Sequence, residues 1–168
     1  MSLVLSKYDS DINYQGQKQF DCGHKAINDF VHKSLKGQVK KGLSVAYVLT
    51  DPAQNDLFAG FYTIAQHTIS LSLLSSMQLN GLPKTIPCTR LTMLGVALTY
   101  SRQSMGARLM RDALLLTKAT ASNVGSFGMY LDADPGAFGF YEKLGFVALE
   151  GNKAPQSSPM FLPVSSIP

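Results

Sequence analysis

The sequence predicts a mixed α/β domain in which helices cover a mostly antiparallel sheet. Short β-rich segments alternate with segments of helical periodicity, and the helical segments are too few for a barrel of eight units. Hydrophobic residues make up 45% of the 168 residues and charged residues only 15%, which argues against disorder. A chain of this length buries a substantial core without metals or disulfides, so we expect a single domain over residues 1–168.

Each element is identified by its hydrophobic period and by the turn residues that bound it. In chain order we expect a short strand within residues 1–19, a helix over Lys25–Leu35, a hairpin of strands Leu43–Thr50 and Leu57–Ile69, a Pro-rich connection ending near residue 89, a central strand Leu91–Leu98, a helix from Arg102, a strand Val124–Asp132, a short helix Ala137–Leu144, and closing strands Phe146–Leu149 and Met160–Val164. Gly60, inside the second hairpin strand, predicts a bulge or a close approach of another backbone segment.

The stretch Arg90–Ser122 predicts a strand, a tight turn and a helix, with Ser101 as the N-cap. The first turn of a helix presents unpaired N–H groups and the positive end of the helix dipole, which suits phosphate oxygens. Arg102 and Arg108 add positive charge, and Gly106 lets a ligand approach the backbone. An ordinary strand–helix unit with solvated arginines is the alternative, because one glycine near a helix start is a weak signal.

A basic run lies between His32 and Lys41. Its cations are His32, Lys33, Lys36, Lys40 and Lys41. The run is either a solvated helix face and loop or a patch that contacts nucleic-acid phosphates. The net charge of +4 and the pI near 9.1 favour an anionic ligand only weakly.

Other classes of protein are disfavoured by the composition. Cys22 and Cys88 are too few for a disulfide framework and too isolated for a zinc site, so we expect both to be reduced and structural. The first eleven residues mix apolar and charged side chains, unlike a signal peptide. No run approaches the roughly 20 apolar residues of a membrane span, and we expect a soluble, cytoplasmic protein.

The segment Phe138–Phe146 carries the pattern F-Y-x-x-x-G-F between two predicted strands. It resembles the C-terminal signature of the GNAT N-acetyltransferase superfamily, whose fold has a mostly antiparallel sheet with helices on both faces. More narrowly, the chain resembles the GNAT toxins of bacterial toxin–antitoxin modules in four segments: FDCGHKAINDF (20–30), GFYTIA (60–65), PCTRLTMLGVA (87–97) and MFLPV (160–164). The resemblance extends from Phe20 to Val164.

The phosphate loop departs from the family pattern. In the family, Q/R-x-x-G-x-G/A follows the central strand, and its backbone amides hold the CoA pyrophosphate. This chain has Ser101–Gly106 there, and only Gly106 agrees; read two residues later, Gln103 and Gly106 fit but Arg108 does not. Ala97 replaces the acidic residue that usually ends the strand. A non-glycine residue strains such a loop if the backbone needs a positive φ.

The resemblance nevertheless implies a mechanism of direct acetyl transfer from acetyl-CoA to an amine. Tyr141 would protonate the departing CoA thiolate, and a backbone N–H near Leu94–Val96 would stabilise the oxyanion. His67 is a candidate base, with a plain surface histidine as the favoured alternative, and an aminoacyl amine needs no dedicated base. The residues expected to bind acetyl-CoA are Leu94, Gly95, Val96, Ser101, Arg102, Gln103, Ser104, Met105, Gly106, Ala107 and Phe138.

For the GNAT toxins the implied substrate is the α-amino group of an aminoacyl-tRNA. Lys33, Lys36, Lys40, Lys41 and Arg90 would bind its phosphates, and a second copy of the chain and an antitoxin are the implied partners. Two alternatives stay open at this point. One is a GNAT enzyme that acts on a small amine or a protein N-terminus, and the other is a GNAT-fold binding module that has lost acetyl-CoA.

Overall fold

The computed structural model describes residues 2–168, which form seven strands and four α-helices. The strands are β1 (Val4–Lys7), β2 (Val45–Asp51), β3 (Leu57–Ser70), β4 (Thr85–Val96), β5 (Gly128–Ala133), β6 (Val147–Ala148) and β7 (Ser158–Pro163). The α-helices are α1 (Lys25–Lys33), α2 (Leu35–Lys40), α3 (Met105–Asn123) and α4 (Phe138–Lys143).

The strands form one sheet in the order β1-β2-β3-β4-β5-β7-β6. The pairs β1–β2, β2–β3, β5–β7 and β6–β7 are antiparallel, whereas β4 and β5 run parallel at Thr89–Met129 and Arg90–Tyr130. The predicted fold class, helices with a mostly antiparallel sheet, is therefore confirmed.

The chain divides into two compact units. The first contains the residues up to Ala65 together with Thr92–Ala113, and the second contains Gln66–Leu91 together with Leu114–Pro168. In the first unit, helices cover both faces of the sheet. Neighbouring residues of a strand point to opposite faces, so Phe61 and Tyr62 of β3 contact different helices. The ring of Phe61 on β3 stacks with that of Phe30 on α1 at 6.3 Å. The next residue, Tyr62, donates a 2.6 Å hydrogen bond to Asp112 of α3.

The second unit has an apolar core of its own. Its fully buried members are Ile69, Leu74, Ile86, Cys88, Leu149 and Phe161. They come from β3, β4, β7, the residue after β6, and the 3-10 helical segment Leu71–Met77, which sequence analysis treated as part of a connection. Burial of these side chains supplies the main favourable term for folding of this unit.

Several predicted boundaries were wrong, each for a local reason. The predicted helix Lys25–Leu35 breaks at Ser34, where φ is −121°, and α2 follows. The central strand starts at Thr85 instead of Leu91. Pro87 has no N–H to donate, but its carbonyl accepts a hydrogen bond from the N–H of Phe127, so the strand extends through the proline. The predicted strand from Val124 starts only at Gly128, because the N–H groups of Val124 and Gly125 close the end of α3 on Thr120.

Gly60 shows both features that its position in a strand predicted. The β2–β3 register shifts between Leu49 and Thr50, so β3 carries a bulge there. A Cβ on Gly60 would lie 3.1 Å from the carbonyl oxygen of Gly95, so β4 approaches this point closely.

Within residues 2–168, no helix is long and apolar enough to span a membrane.

Gly128→Ala tests the close contact between β5 and β7 in the second unit. An added Cβ would lie 2.2 Å from the carbonyl oxygen of Leu162, and a backbone atom cannot rotate away. We expect the free energy of unfolding to fall by about 3 kcal/mol, the cost of severe overpacking.

Gly37→Ala in α2 is the matched control, since nothing lies within 4 Å of its added Cβ. Alanine is the better helix former, so this variant should gain about 0.5–1 kcal/mol. Urea denaturation measures both, and a Gly128→Ala protein as stable as the parent would contradict the tight β5–β7 contact.

Candidate active site

The loop between β4 and α3 is anchored by a buried carboxylate. Asp51, only 1% exposed, ends β2 and accepts a 2.5 Å hydrogen bond from the hydroxyl of Tyr100. Its other oxygen accepts from the N–H of Ala53 at 3.0 Å. Burial and this hydrogen bond raise the pKa of Tyr100 to about 12. The turn Leu98–Tyr100 is thereby tied to the hairpin, and the residues after it start from a fixed point.

After this anchor, two non-glycine residues adopt the left-handed backbone conformation. Arg102 has a φ of +66° and Ser104 a φ of +60°. Ser104 occupies the fourth position of Q/R-x-x-G-x-G/A, where the pattern has glycine. The condition under which the sequence predicted strain is therefore met, and such a conformation costs about 1–2 kcal/mol per residue.

This conformation displaces the start of α3. The sequence predicted a helix from Arg102 with Ser101 as N-cap, but α3 begins at Met105. The two left-handed residues postpone the helix, and the Ser101 hydroxyl instead donates to the carbonyl of Leu98 at 2.8 Å. The first bond into the helix runs from the N–H of Arg108 to Ser104 O at 3.1 Å.

The first turn of α3 therefore offers free backbone donors. The N–H groups of Met105, Gly106 and Ala107 donate to no carbonyl within residues 2–168, and all three residues are half-buried. At the start of a 19-residue helix they coincide with the positive end of the dipole. A Cβ on Gly106 would meet nothing within 4 Å, so the surface beside these donors is open. A phosphate group fits this arrangement.

Two arginines near this turn behave differently. Arg102 and its neighbours Gln103 and Ser104 are exposed. Arg108, which the sequence suggested as a further positive charge for a phosphate, is half-buried and donates from Nη1 to the carbonyl of Leu3 at 3.0 Å. One nitrogen of its guanidinium is therefore already hydrogen-bonded to the residue that precedes β1.

The end of β4, where the sequence placed part of the cofactor site, is tightly packed at one residue. Leu94 and Val96 are half-buried, and Gly95 is fully buried. A Cβ on Gly95 would lie 3.1 Å from Cγ2 of Ile27 on α1 and 3.4 Å from Sγ of Cys22. The ladder is irregular just before it, since the N–H of Met93 donates to the Thr63 hydroxyl at 3.1 Å.

Tyr141 lies in the second unit, on the short helix α4. It is 9% exposed, and the ring of Phe146 meets its ring edge-to-face at 5.7 Å. Gly145, with a φ of +102°, ends the helix by letting the N–H of Phe146 return to the carbonyl of Tyr141 at 3.2 Å. This explains the spacing of F-Y-x-x-x-G-F: the glycine turns the chain so that its phenylalanine packs on the tyrosine.

The hydroxyl of Tyr141 is available as a donor. No hydrogen bond among residues 2–168 uses it. Burial, with the nearby negative charge of Asp134, raises the pKa of Tyr141 to about 12. Phe138, the first residue of α4, is half-buried in the same unit.

Arg90 belongs to a polar cluster on the sheet of the second unit. Its Nη2 pairs with the Asp132 carboxylate at 3.0 Å, and its guanidinium carbon lies 5.8 Å from the centre of the Tyr130 ring. Tyr130 donates to the other Asp132 oxygen at 3.0 Å, and the ring of His67 lies 5.0 Å from that of Tyr130. Arg90 was expected to bind phosphate, but much of its charge is neutralised by Asp132.

His67 is more than a plain surface histidine. It is half-buried, and burial together with the positive charge of Arg90 lowers its pKa below the ordinary value of 6.5. The imidazole is therefore neutral at pH 7 and able to accept a proton.

The four predicted substrate lysines are all exposed but separate into two pairs. Lys33 ends α1 and Lys36 lies in α2, and both line one groove of the first unit. Lys40 ends α2 and Lys41 follows it, and neither lines that groove.

Both cysteines are free thiols, Cys88 is buried, and no cluster of residues within 2–168 is arranged to hold a metal ion. Sequence analysis missed the pairing of Asp51 with Tyr100, because nothing in the spacing of the two residues joins the end of one strand to a turn 49 positions later. It also missed two further lysines of the groove, Lys7 and Lys18, which are isolated in the sequence.

Comparison with known proteins gives a consistent result. A family model described as an acetyltransferase (GNAT) domain matches residues 47–160. A solved structure described as a bacterial toxin is 36% identical, with a TM-score of 0.94 and coverage of 99% of this chain and 93% of its own. AtaT complexed with acetyl-methionyl-tRNAfMet is 27% identical (TM-score 0.88; coverage 99% and 97%). A tyrosine-to-phenylalanine mutant of AtaT, bound to the C-terminus of the antitoxin AtaR and to acetyl-CoA, is 26% identical (TM-score 0.81; coverage 98% and 95%).

Ser104→Gly tests the strain in the loop. Glycine adopts a positive φ without a Cβ penalty, so we expect the free energy of unfolding to rise by about 0.5–1 kcal/mol after allowance for the more flexible unfolded chain. Chemical denaturation measures the change.

Ser104→Ala is the matched control, because it removes the hydroxyl and keeps the Cβ. It should leave the free energy of unfolding within about 0.5 kcal/mol of the parent. A glycine variant no more stable than the alanine variant would show that the left-handed backbone carries no strain.

Proposed function

Because the chain belongs to the GNAT family of acetyltransferases, we propose that it acetylates the α-amino group of an aminoacyl-tRNA and acts as a toxin. It is an acetyl-CoA-dependent N-acetyltransferase, and acetyl-CoA supplies the acetyl thioester. The substrate proposal is supported by the similarity over almost the whole chain to AtaT, whose complex contains acetyl-methionyl-tRNAfMet. Acetylation of that amine would prevent the residue from entering a peptide bond as a nucleophile.

The observation that carries the cofactor assignment is the backbone of the loop before α3. Although serine replaces the first glycine of the family pattern, Ser104 has the positive φ that glycine would supply, and the nearby Arg102 has a positive φ as well. The loop therefore keeps a conformation suited to phosphate, and Met105, Gly106 and Ala107 present their N–H groups to it. This argues against the alternative of a GNAT-fold module that has lost acetyl-CoA.

In the proposed cofactor site, the loop residues Ser101–Ser104 and the first turn of α3 bind the pyrophosphate oxygens. Arg102, exposed and without an ion-pair partner in the described chain, adds a positive charge. Backbone groups of Leu94, Gly95 and Val96 hold the thioester, and an N–H there stabilises the negative charge that develops on its oxygen. Phe138 supplies apolar contact to the pantetheine chain.

The proposed reaction forms a bond between the amine nitrogen and the acetyl carbon and breaks the bond from that carbon to sulfur. Tyr141 donates its phenolic hydrogen to the leaving sulfur. The proton that the amine nitrogen loses then returns to the Tyr141 phenolate, because its pKa of about 12 makes it a stronger base than a thiolate, whose pKa is about 8.5. His67, neutral at pH 7, is available to accept a proton but is not required, since an α-amino group has a pKa of only about 8.

We propose that the remaining assignments follow from this substrate. Of the cations that the sequence assigned to tRNA phosphates, Lys33 and Lys36 lie together in one groove and carry the proposed contact, whereas Lys40 and Lys41 lie outside that groove and Arg90 is paired with Asp132. A second copy of the chain and an antitoxin would be its protein partners, and the charged tRNA substrate would place the protein in the cytoplasm. A single acetyltransferase domain over residues 1–168 is supported by the family match, which includes parts of both compact units.

Tyr141→Phe tests the catalytic assignment. Loss of the donor should lower kcat for acetyl transfer to charged tRNA by about 10²–10⁴-fold, while the Kd for acetyl-CoA stays near that of the parent. Transfer of labelled acetyl groups to methionyl-tRNA measures kcat, and calorimetry measures Kd. Expression of the parent without an antitoxin should arrest growth, and Tyr141→Phe should relieve the arrest.

Tyr47→Phe is the matched control, because the Tyr47 ring stacks on Tyr62 at 5.3 Å and no hydrogen bond within residues 2–168 uses its hydroxyl. It should leave kcat unchanged. A parent enzyme that acetylates small amines or peptide N-termini and leaves charged tRNA untouched would refute the proposed substrate.

The raised pKa of Tyr141 predicts the pH dependence. The group is an acid whose pKa is higher in the folded protein than the ordinary 10, so its proton stays in place at every pH below about 12. We therefore expect kcat/KM to rise with pH as the acceptor amine loses its proton, and then to stay level up to pH 10 with no alkaline decline. In an ultraviolet titration of tyrosinate, Tyr141→Phe should leave the absorbance change below pH 11 unaltered; a smaller change would mean that Tyr141 ionises near the ordinary value.

A further inference from the structure

A groove of about 1120 Å³ lies entirely within the first unit and collects lysines from four separate elements. Lys7 ends β1, Lys18 lies in the 3-10 helix Gln17–Gln19, Lys33 ends α1 and Lys36 lies in α2. Sequence analysis did not predict Lys7 and Lys18, because both are far along the chain from the basic run between His32 and Lys41. Convergence from separate elements distinguishes this groove from the solvated face of a single helix.

The four ammonium groups are available to a ligand. All four side chains are exposed, and no ion pair within residues 2–168 includes any of them. Lys36 Nζ is oriented across the groove by a 2.7 Å hydrogen bond to Asn13 Oδ1, a neutral partner that leaves its charge intact. The groove also contains the carboxylates of Asp9 and Asp56, so its lysines exceed its acidic groups by two.

The floor of the groove is held by hydrogen bonds that tie the N-terminal segment to α1. Gln17 Nε2 donates to the carbonyl of Val31 at 3.1 Å, and its Oε1 accepts from the Tyr8 hydroxyl at 3.0 Å. His32 Nε2 lies 2.8 Å from the carbonyl oxygen of Phe20. The elements that carry the lysines are therefore fixed relative to one another, which reduces the entropy lost when a ligand binds.

We propose that this groove binds the phosphate backbone of the tRNA, with Lys7, Lys18, Lys33 and Lys36 as its cations. The inference rests on the proposed function and gives its tRNA contact a location in the first unit. Several separated cations with few competing carboxylates suit a polymer that carries a phosphate at every nucleotide. Lys40 and Lys41, which belong to the same basic run but lie outside the groove, contribute little.

The test compares two double variants that remove equal charge. Lys7→Gln/Lys18→Gln removes two of the positive charges in the groove. Lys40→Gln/Lys41→Gln removes two positive charges outside the groove and is the matched control. Binding of uncharged methionine tRNA, measured by fluorescence anisotropy over a range of salt concentrations and without acetyl-CoA, gives the slope of log K against log salt. The groove variant should lower the magnitude of that slope by about 2, one unit for each phosphate that a lysine no longer neutralises, and the control should lower it by less than about 0.5. Thermal unfolding verifies that both variants fold, and exposed lysines in short elements give no reason for them not to.

Each result decides the question. Equal slopes for the two variants would overturn the groove assignment, as would a larger effect of the Lys40/Lys41 pair. Groove lysines that are needed to bind an acidic peptide but not tRNA would assign the groove to a protein partner and overturn the proposal.

The inference and the proposed function fail separately. Groove-dependent tRNA binding by an enzyme that transfers no acetyl group to charged tRNA would refute the proposed function and leave the groove assignment standing. Acetyl transfer to charged tRNA that is insensitive to Lys7 and Lys18 would refute the groove assignment alone.

Discussion

The hydrogen bond from Tyr100 to the buried carboxylate of Asp51 fixes the place where the proposed cofactor loop begins. A carboxylate that is 1% exposed is costly to bury unless its oxygens are satisfied, and here one oxygen holds the turn before the loop while the other holds the N–H of Ala53. The turn cannot move without leaving the buried oxygen that accepts from Tyr100 without its donor. The unusual backbone at Arg102 and Ser104 depends on this anchor, because strained conformations persist only where the surrounding structure determines them.

The elements that were predictable from the sequence are those whose local chemistry agrees with their tertiary surroundings. The hairpin, its bulge near Gly60 and the short helix with Tyr141 all carry strong local signals: alternating β-rich runs, a glycine within a strand, and an aromatic pair followed at fixed distance by a glycine. The pattern F-Y-x-x-x-G-F even specifies its own packing, since Gly145 turns the chain so that Phe146 reaches Tyr141.

The features that were not predictable depend on contacts between distant residues. Periodicity extends through Arg102 and Gln103, so the sequence starts α3 three residues early; only the anchored turn shows that the backbone there is left-handed. Ser34 has no strong breaking tendency, yet the chain leaves α1 at that residue and starts α2. The groove lysines Lys7 and Lys18 join Lys33 and Lys36 only through the fold, because no segment of the sequence contains all four.

The free N–H groups at the start of α3 and the strain before them have a common physical consequence. Three backbone donors of a first helical turn have no carbonyl acceptor within residues 2–168, and two residues hold a costly φ. A phosphate oxygen that accepts from these donors supplies charge-assisted hydrogen bonds, which are stronger than neutral ones. A loop that holds a positive φ at Ser104 therefore directs these donors to a pyrophosphate although serine has replaced the first glycine of the family pattern.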